Sequence, residues 1–150
     1  MSASIEIDVT ALREALEAVP DTLRRETLGP IVRESAEGLA ADLRGQYANT
    51  KRTSINPGTL ASRVVVEPGR DGRGLLAKVR SKAPHAHLYE YGTVQRRTNE
   101  TGANRGTMPA RPTFVPLAIR WRERMVRSAA SALRSLRIPG FTGSPEVRES

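Results

Sequence analysis

Arg63-Val64-Val65-Val66-Glu67-Pro68-Gly69-Arg70-Asp71-Gly72-Arg73-Gly74-Leu75-Leu76-Ala77-Lys78-Val79-Arg80 (residues 63–80) is the stretch in which the chain changes period. It opens on a β-branched run. Its far half alternates Leu75, Ala77 and Val79 with Leu76, Lys78 and Arg80. Alternation with a period of two places successive side chains on opposite faces of a strand. Pro68 to Gly74 between the halves is a glycine-rich turn. Two strands across such a turn predict an antiparallel hairpin over 62–80. A phosphate-binding loop would need a Gly-Lys-Ser/Thr ending and a following helix, and neither is present, so the hairpin turn accounts for the glycines.

Upstream of the hairpin the sequence is helical. Asp8 or Thr10 can cap a short helix bearing Val9, Leu12, Leu16 and Val19. Gly29-Pro30 is expected to break or kink the next one. Val32, Ala36, Leu39, Leu43 and Tyr47 then recur at steps of three and four, which predicts a long amphipathic helix over 30–47.

Downstream, Ala86 to Tyr91 reads as a third strand near 86–92, led in by Ala83-Pro84. In a strand Tyr89 and Tyr91 share the core side. Glu90 then points outward, where it can pair with an arginine of this chain or of a neighbour. The same tyrosines could instead stack nucleic-acid bases. Residues 94–108 have no apolar period and contain Arg96, Arg97 and Arg105, which predicts a long basic loop. Met108 to Pro116 carries three prolines and is expected to be extended, with Thr113 capping a last helix over 116–136. The expected fold class is therefore α+β. A small antiparallel sheet packs against a long N-terminal helix and a C-terminal helix through Leu39, Leu43, Trp121 and Met125. Residues 1–140 form one domain and 141–150 a flexible tail.

Composition bounds the function. The chain has 150 residues, 38% hydrophobic and 4% aromatic, with no cysteine. Scarce aromatics suit a subunit whose buried surface is completed by other subunits. The absence of cysteine removes disulfide scaffolds, thiolate metal sites and cysteine nucleophiles. No apolar run reaches transmembrane length, and Met1 to Asp8 lacks the basic and apolar regions of a signal peptide. The net charge is +8, unevenly spread. Residues 1–50 hold five arginines and nine acids, whereas residues 51–127 hold sixteen basic residues and five acids. Such a split suits binding to a polyanion, or head-to-tail binding between copies of the chain.

No constellation points to catalysis or to a cofactor. His85 and His87 share a side if the segment is a strand, but Glu90 falls on the other side and no third ligand motif exists. No Gly-x-Ser-x-Gly occurs, and the few carboxylates of the basic half, Glu67, Asp71, Glu90, Glu100 and Glu123, suggest no converging acid/base pair. The expectation is a protein without enzymatic activity, metal or cofactor.

Three motifs stand in a fixed order: Pro57-Gly58-Thr59-Leu60-Ala61-Ser62, Tyr89-Glu90-Tyr91-Gly92-Thr93 and Met108-Pro109-Ala110-Arg111-Pro112-Thr113-Phe114-Val115-Pro116. Over roughly residues 10–136 the chain resembles the tail-component family of long-tailed bacteriophages, also called tail-completion or head–tail joining proteins, with relatives in prophages and gene-transfer agents. Gly58 and Leu60 fit the family's first motif, Glu90, Gly92 and Thr93 its second, and Pro109, Ala110, Arg111, Pro112, Phe114 and Pro116 its third. Thr113 stands between Pro112 and Phe114, where the family usually has the aromatic directly after the proline. The resemblance implies a structural virion protein, without enzymatic activity, that forms a ring, commonly six-fold, in the neck or tail. Its partners would be other copies of itself and the connector and tail-tube proteins, with non-specific DNA contact in the lumen and no membrane. Within that reading Glu90, Arg96, Arg97, Arg105, Met108, Arg111, Phe114 and Val115 are the candidate interface residues. Met108, Phe114 and Val115 would supply contact energy and the arginines register. A different class of protein, a basic nucleic-acid-binding module without ring assembly, is the alternative.

Overall fold

The structure is a computed structural model, and it describes residues 5–7, 14, 16–50, 57–70, 74–94, 100–104, 106–136 and 147–149. The elements are β1 (Ile5–Ile7), α1 (Asp21–Ala48), α2 (Pro57–Ser62), β2 (Val64–Pro68), β3 (Ala77–Ser81), α3 (Ala86–Tyr91), α4 (Phe114–Ser135) and β4 (Val147–Glu149). This is the expected α+β class, with a small antiparallel sheet and long N- and C-terminal helices. Contacts divide the chain into two compact units. One comprises Met1–Ser35, Pro68–Ala77 and Arg122–Ser150; the other comprises Ala36–Glu67 and Lys78–Trp121.

The helix expected over 30–47 is longer, because α1 begins at Asp21 and continues through Pro30. A proline inside a helix removes one backbone bond and costs about 3 kcal/mol. That cost is offset by packing on both sides of it. Leu28 is buried and Ile31 partly buried in one cluster, while Leu39, Ala40, Leu43 and Tyr47 are buried in another.

In the first unit, Val19, Leu28, Ala130 and Leu133 form the core, with Leu16, Ile31, Leu75, Val126, Ala129 and Leu136 packed around it. β1 and β4 pair antiparallel in this unit, with Ile5 opposite Glu149 and Ile7 opposite Val147. Residues 147–149 were expected within a flexible tail and form a strand instead. Ile5, Ile7 and Val147 are β-branched and supply the strand preference, and the register sets Glu6 opposite Arg148.

In the second unit the core comprises Leu39, Ala40, Leu43, Tyr47, Leu60, Val64, Ala83, Tyr89, Met108 and Leu117. The expected contacts of Leu39 and Leu43 are present, and Trp121 packs against this core partly buried. Its ring lies over Gly38, where ring atoms Cζ2 and Cζ3 fall 2.6 Å from the place a Cβ would occupy. The indole Nε1–H donates to Asp42 Oδ2 at 2.8 Å. A glycine at 38 therefore seats the indole against the helix backbone. Trp121→Ala is expected to cost about 2–3 kcal/mol in urea unfolding, below the ~3–5 kcal/mol of a fully buried tryptophan because the ring is only partly buried.

β2 and β3 form the expected hairpin pair. The Gly69 N–H donates to the Leu76 carbonyl at 2.7 Å and the Lys82 N–H to the Arg63 carbonyl at 2.8 Å. One partner number rises as the other falls, so the pairing is antiparallel. The turn residues Asp71 to Arg73 lie outside the described residues.

The expected third strand is a helix. α3 spans Ala86–Tyr91, with the Leu88 and Tyr89 N–H groups donating to the His85 carbonyl at 3.1 and 3.2 Å. Two residues along a helix turn about 200°, so Tyr89 and Tyr91 do not share a side: Tyr89 is 4% exposed and Tyr91 77%. The Tyr-Glu-Tyr alternation mimics a period of two. The left-handed Gly92 that follows, φ +71°, closes a helical turn, its N–H donating to the Leu88 carbonyl at 2.9 Å.

Candidate functional site

The two downstream motifs, 89–93 and 108–116, form one interlocked clasp within the second unit. The Thr93 N–H donates to the Met108 carbonyl at 2.8 Å, and the Met108 N–H donates to Thr93 Oγ1 at 3.0 Å. Thr93 and Met108 are thereby joined in one antiparallel bridge. The Arg111 N–H donates to the Tyr89 carbonyl at 3.0 Å. A Cβ on Gly92 would lie 2.6 Å from the Met108 carbonyl oxygen and 2.7 Å from the Ala110 nitrogen, so the extended segment runs directly against the glycine backbone.

Glu90 is the centre of the clasp. It is the one buried charged residue among the described residues, at 9% exposure. Its Oε2 accepts the Thr113 N–H at 2.8 Å, and the Phe114 N–H is shared between Oε1 at 3.0 Å and Oε2 at 3.1 Å. The first N–H groups of a helix have no partner within it, and here a carboxylate from 23 residues upstream caps α4. Negative charge also complements the positive end of the helix. The Tyr47 hydroxyl donates to Oε1 at 2.9 Å. The rings of Tyr47 and Tyr89 meet edge to face at 5.5 Å, and the Tyr89 hydroxyl shares a 2.8 Å hydrogen bond with Thr50 Oγ1. α1, α3 and α4 are thus tied together at one carboxylate.

This geometry corrects two expectations. Glu90 does not point outward to an arginine; the helical form of 86–91 turns it inward, onto backbone N–H groups and Tyr47. Thr113 does not cap α4 through its own oxygen. Its hydroxyl donates to the Arg111 carbonyl at 3.1 Å, and Glu90 supplies the cap. Tyr47 was legible only as the end of an apolar stripe, and its role as the donor to Glu90 left no signal in spacing. Burial first, then the Glu90 hydrogen bond, push the Tyr47 phenol well above its ordinary range.

That shift carries a sign. Below about pH 10 both folded and unfolded chains keep the phenol proton. Above it the unfolded chain loses the proton while the folded chain holds it, so stability falls as pH rises. Tyr47→Phe should flatten the alkaline branch of a plot of denaturation midpoint against pH.

The other anticipated residues are placed as follows. Met108 is buried in this chain's own core, and Phe114 packs against it partly buried, so neither offers much free surface. Val115 is 51% exposed. Arg111 is half-buried, Pro109, Ala110, Pro112 and Pro116 are exposed, and Leu60 is buried. Gly58 lies in α2. Arg96, Arg97 and Arg105 lie outside the described residues.

His85 and His87 are both exposed, at the start of α3, where an i, i+2 pair does not share a face. Among the described residues no group of three His, Asp or Glu side chains could hold a metal ion. A shallow cleft of about 280 Å³ is lined by Gln46, Pro112, Thr113, Pro116, Leu117 and Arg120. With Arg120 its single ionisable group, it offers no acid/base pair. No helix among the described residues is long and apolar enough to cross a membrane. Compared with family models, curated proteins and solved structures, the chain matches none.

Proposed function

We propose that the chain is a structural assembly protein, without catalytic activity, metal or cofactor, that forms a ring at the head–tail junction or the capsid-proximal end of a phage tail. The ring, probed first as a hexamer, joins tail to head and lets DNA pass. Its partners are further copies of itself and neighbouring connector and tail-tube proteins. Its place is the virion, after assembly in the host cytoplasm.

The observation that carries this reading is the clasp. Two motifs that resemble those of the tail-component family, fifteen residues apart between Thr93 and Met108, interlock through Glu90, Gly92 and the cap of α4. Motifs whose Glu90, Gly92, Thr93, Arg111 and Phe114 meet in one clasp support the resemblance more than spacing alone. A second support is surface. Tyr91, Val94, Val115 and Ile119 of the same unit are large apolar side chains left exposed. Val115 and Ile119 stand four apart on α4 and so share one side of it. A heterologous ring contact needs such apolar surface, because exposed ion pairs contribute only about 0–1 kcal/mol each.

The alternative, a basic nucleic-acid-binding module without ring assembly, draws on the exposed arginines of α4: Arg120, Arg122, Arg124, Arg127 and Arg134. A salt titration separates the two, with oligomer mass followed by light scattering and DNA retention followed in parallel. Affinity for DNA through phosphates falls steeply with salt, whereas an apolar ring contact persists. An oligomer that survives high salt while DNA retention vanishes supports assembly. Tight, sequence-selective DNA binding by a chain that forms no oligomer with any phage partner replaces it with the alternative.

A further inference from the structure

We propose that the outer face of the β2–β3 ribbon is a phosphate-contact surface for duplex DNA. The inference deepens the DNA-passage part of the proposed function and rests on it. Along β3 every second residue is cationic: Lys78, Arg80 and, just past the strand, Lys82, all exposed. Ala77, Val79 and Ser81 alternate with them on the partly buried side. The bonds Gly69 to Leu76 and Lys82 to Arg63 fix the register, which sets Arg63 opposite Lys82, Val65 opposite Arg80 and Glu67 opposite Lys78. Directly opposed residues project to the same side of a sheet. Four exposed or half-exposed cations therefore share one face with one carboxylate. Glu67 lies 2.6 Å from Lys82 Nζ and 3.7 Å from Arg80 Nη1. The Lys82 hydrogen bond first, and the charges of Lys82, Arg80 and Lys78 after it, hold the Glu67 carboxyl below its usual range.

Two observations favour a phosphate backbone over a second copy of the chain as the occupant. Protein interfaces are depleted of charge at their centre, whereas this face carries four cations and one carboxylate, with Val65 the apolar residue among them. The long helix α1 also offers no concentrated acidic face to meet it. Its five acids are interleaved with four arginines, and Asp42 already accepts the Trp121 indole. A two-stranded ribbon fits the major groove of duplex DNA, and cations at alternate strand positions, about 6.5–7 Å apart, can reach separate phosphates.

The test is fluorescence anisotropy of a labelled random-sequence duplex with the intact chain over a salt series, with light scattering on the same samples. The triple variant Lys78→Gln/Arg80→Gln/Lys82→Gln is expected to reduce the slope of log K against log salt by about 2.7, three phosphates at about 0.9 each. Glu67→Gln, which releases Lys82 and Arg80, is expected to tighten low-salt binding by roughly two- to five-fold. These positions are exposed or nearly so, and an unchanged melting midpoint establishes that each variant is folded. Arg120→Gln/Arg127→Gln/Arg134→Gln on α4 is the comparison. If that variant loses the slope while the ribbon variant binds as the unaltered chain does, the proposal is overturned. It is overturned equally if the unaltered chain does not retain DNA, or if the ribbon variant loses oligomer mass and keeps its DNA slope. Loss of the slope in the ribbon variant with oligomer mass unchanged supports it. A chain that is monomeric yet shows the ribbon-dependent slope upholds the ribbon site independently of ring assembly.

Discussion

Glu90→Ala is expected to lower stability by about 3–5 kcal/mol in urea unfolding, the combined cost of several buried or part-buried donors left without an acceptor. The truncation removes the acceptor for the Tyr47 hydroxyl and for the Thr113 and Phe114 N–H groups together. Each buried donor left without an acceptor costs about 1–3 kcal/mol, and the loss of a helix cap lies within the same range. Glu90→Gln keeps one carbonyl oxygen and should cost less, about 1–2 kcal/mol, because an amide can still accept from α4 while the tyrosine hydroxyl reorients. Tyr47→Phe removes a single donor. In a double-mutant cycle with Glu90→Ala the two losses should be less than additive, since the carboxylate is already gone in one background. A Glu90→Ala variant within 1 kcal/mol of the unaltered chain would mean that the carboxylate does not cap α4.

Gly92→Ala is expected to cost a comparable amount, about 3–5 kcal/mol, through two causes that add. The first is conformational: at φ +71° a residue with a Cβ pays about 1–2 kcal/mol. The second is steric and larger. The new methyl would meet the Met108 carbonyl oxygen and the Ala110 nitrogen, both backbone atoms held by the Thr93 and Arg111 hydrogen bonds. Gly102 and Gly106 isolate the first cause, because both have positive φ, +62° and +70°, with open space where a Cβ would stand. Gly106→Ala should therefore cost about 1–2 kcal/mol in the same assay. Equal losses at 92 and 106 would show that the extended segment does not press on Gly92.

The elements whose period is set by burial on one side were legible. The hairpin followed from β-branched residues meeting an alternating run, and the long helices followed from Leu39, Leu43 and Tyr47 and from Leu117 and Trp121. The elements governed by contacts distant in sequence were not. Residues 86–91 alternate aromatic and acidic residues, which looks like a strand. They fold as a helix because Glu90 must turn inward to reach the start of α4, 23 residues away, and spacing along the chain does not encode that partner. Pro30 misled in the opposite sense: its local penalty is real, but packing on both sides outweighs it. At the candidate site, the resemblance singled out Glu90, Gly92, Thr93 and Phe114 as motif residues and placed Glu90 and Phe114 among the partner contacts. Their observed contacts are within the chain, and the exposed apolar positions beside them are Tyr91, Val94, Ile119 and Val115, the last already among the expected interface residues. The alternation of Lys78, Arg80 and Lys82 encodes both the strand and the cationic row on its exposed side, because a period of two sets fold and surface charge together.

The ring is tested most directly by the native mass of the purified chain, alone and with connector and tail-tube partners, for the unaltered sequence and for Val115→Asp/Ile119→Asp. The expected result is a single closed species at a fixed multiple of the 16.4 kDa subunit, six-fold in the first instance and stable at high salt. In the double variant it should dissociate while the melting midpoint stays unchanged, since both side chains are about half exposed. A chain that remains monomeric at every concentration and with every partner, or a variant that assembles as the unaltered chain does, would contradict it.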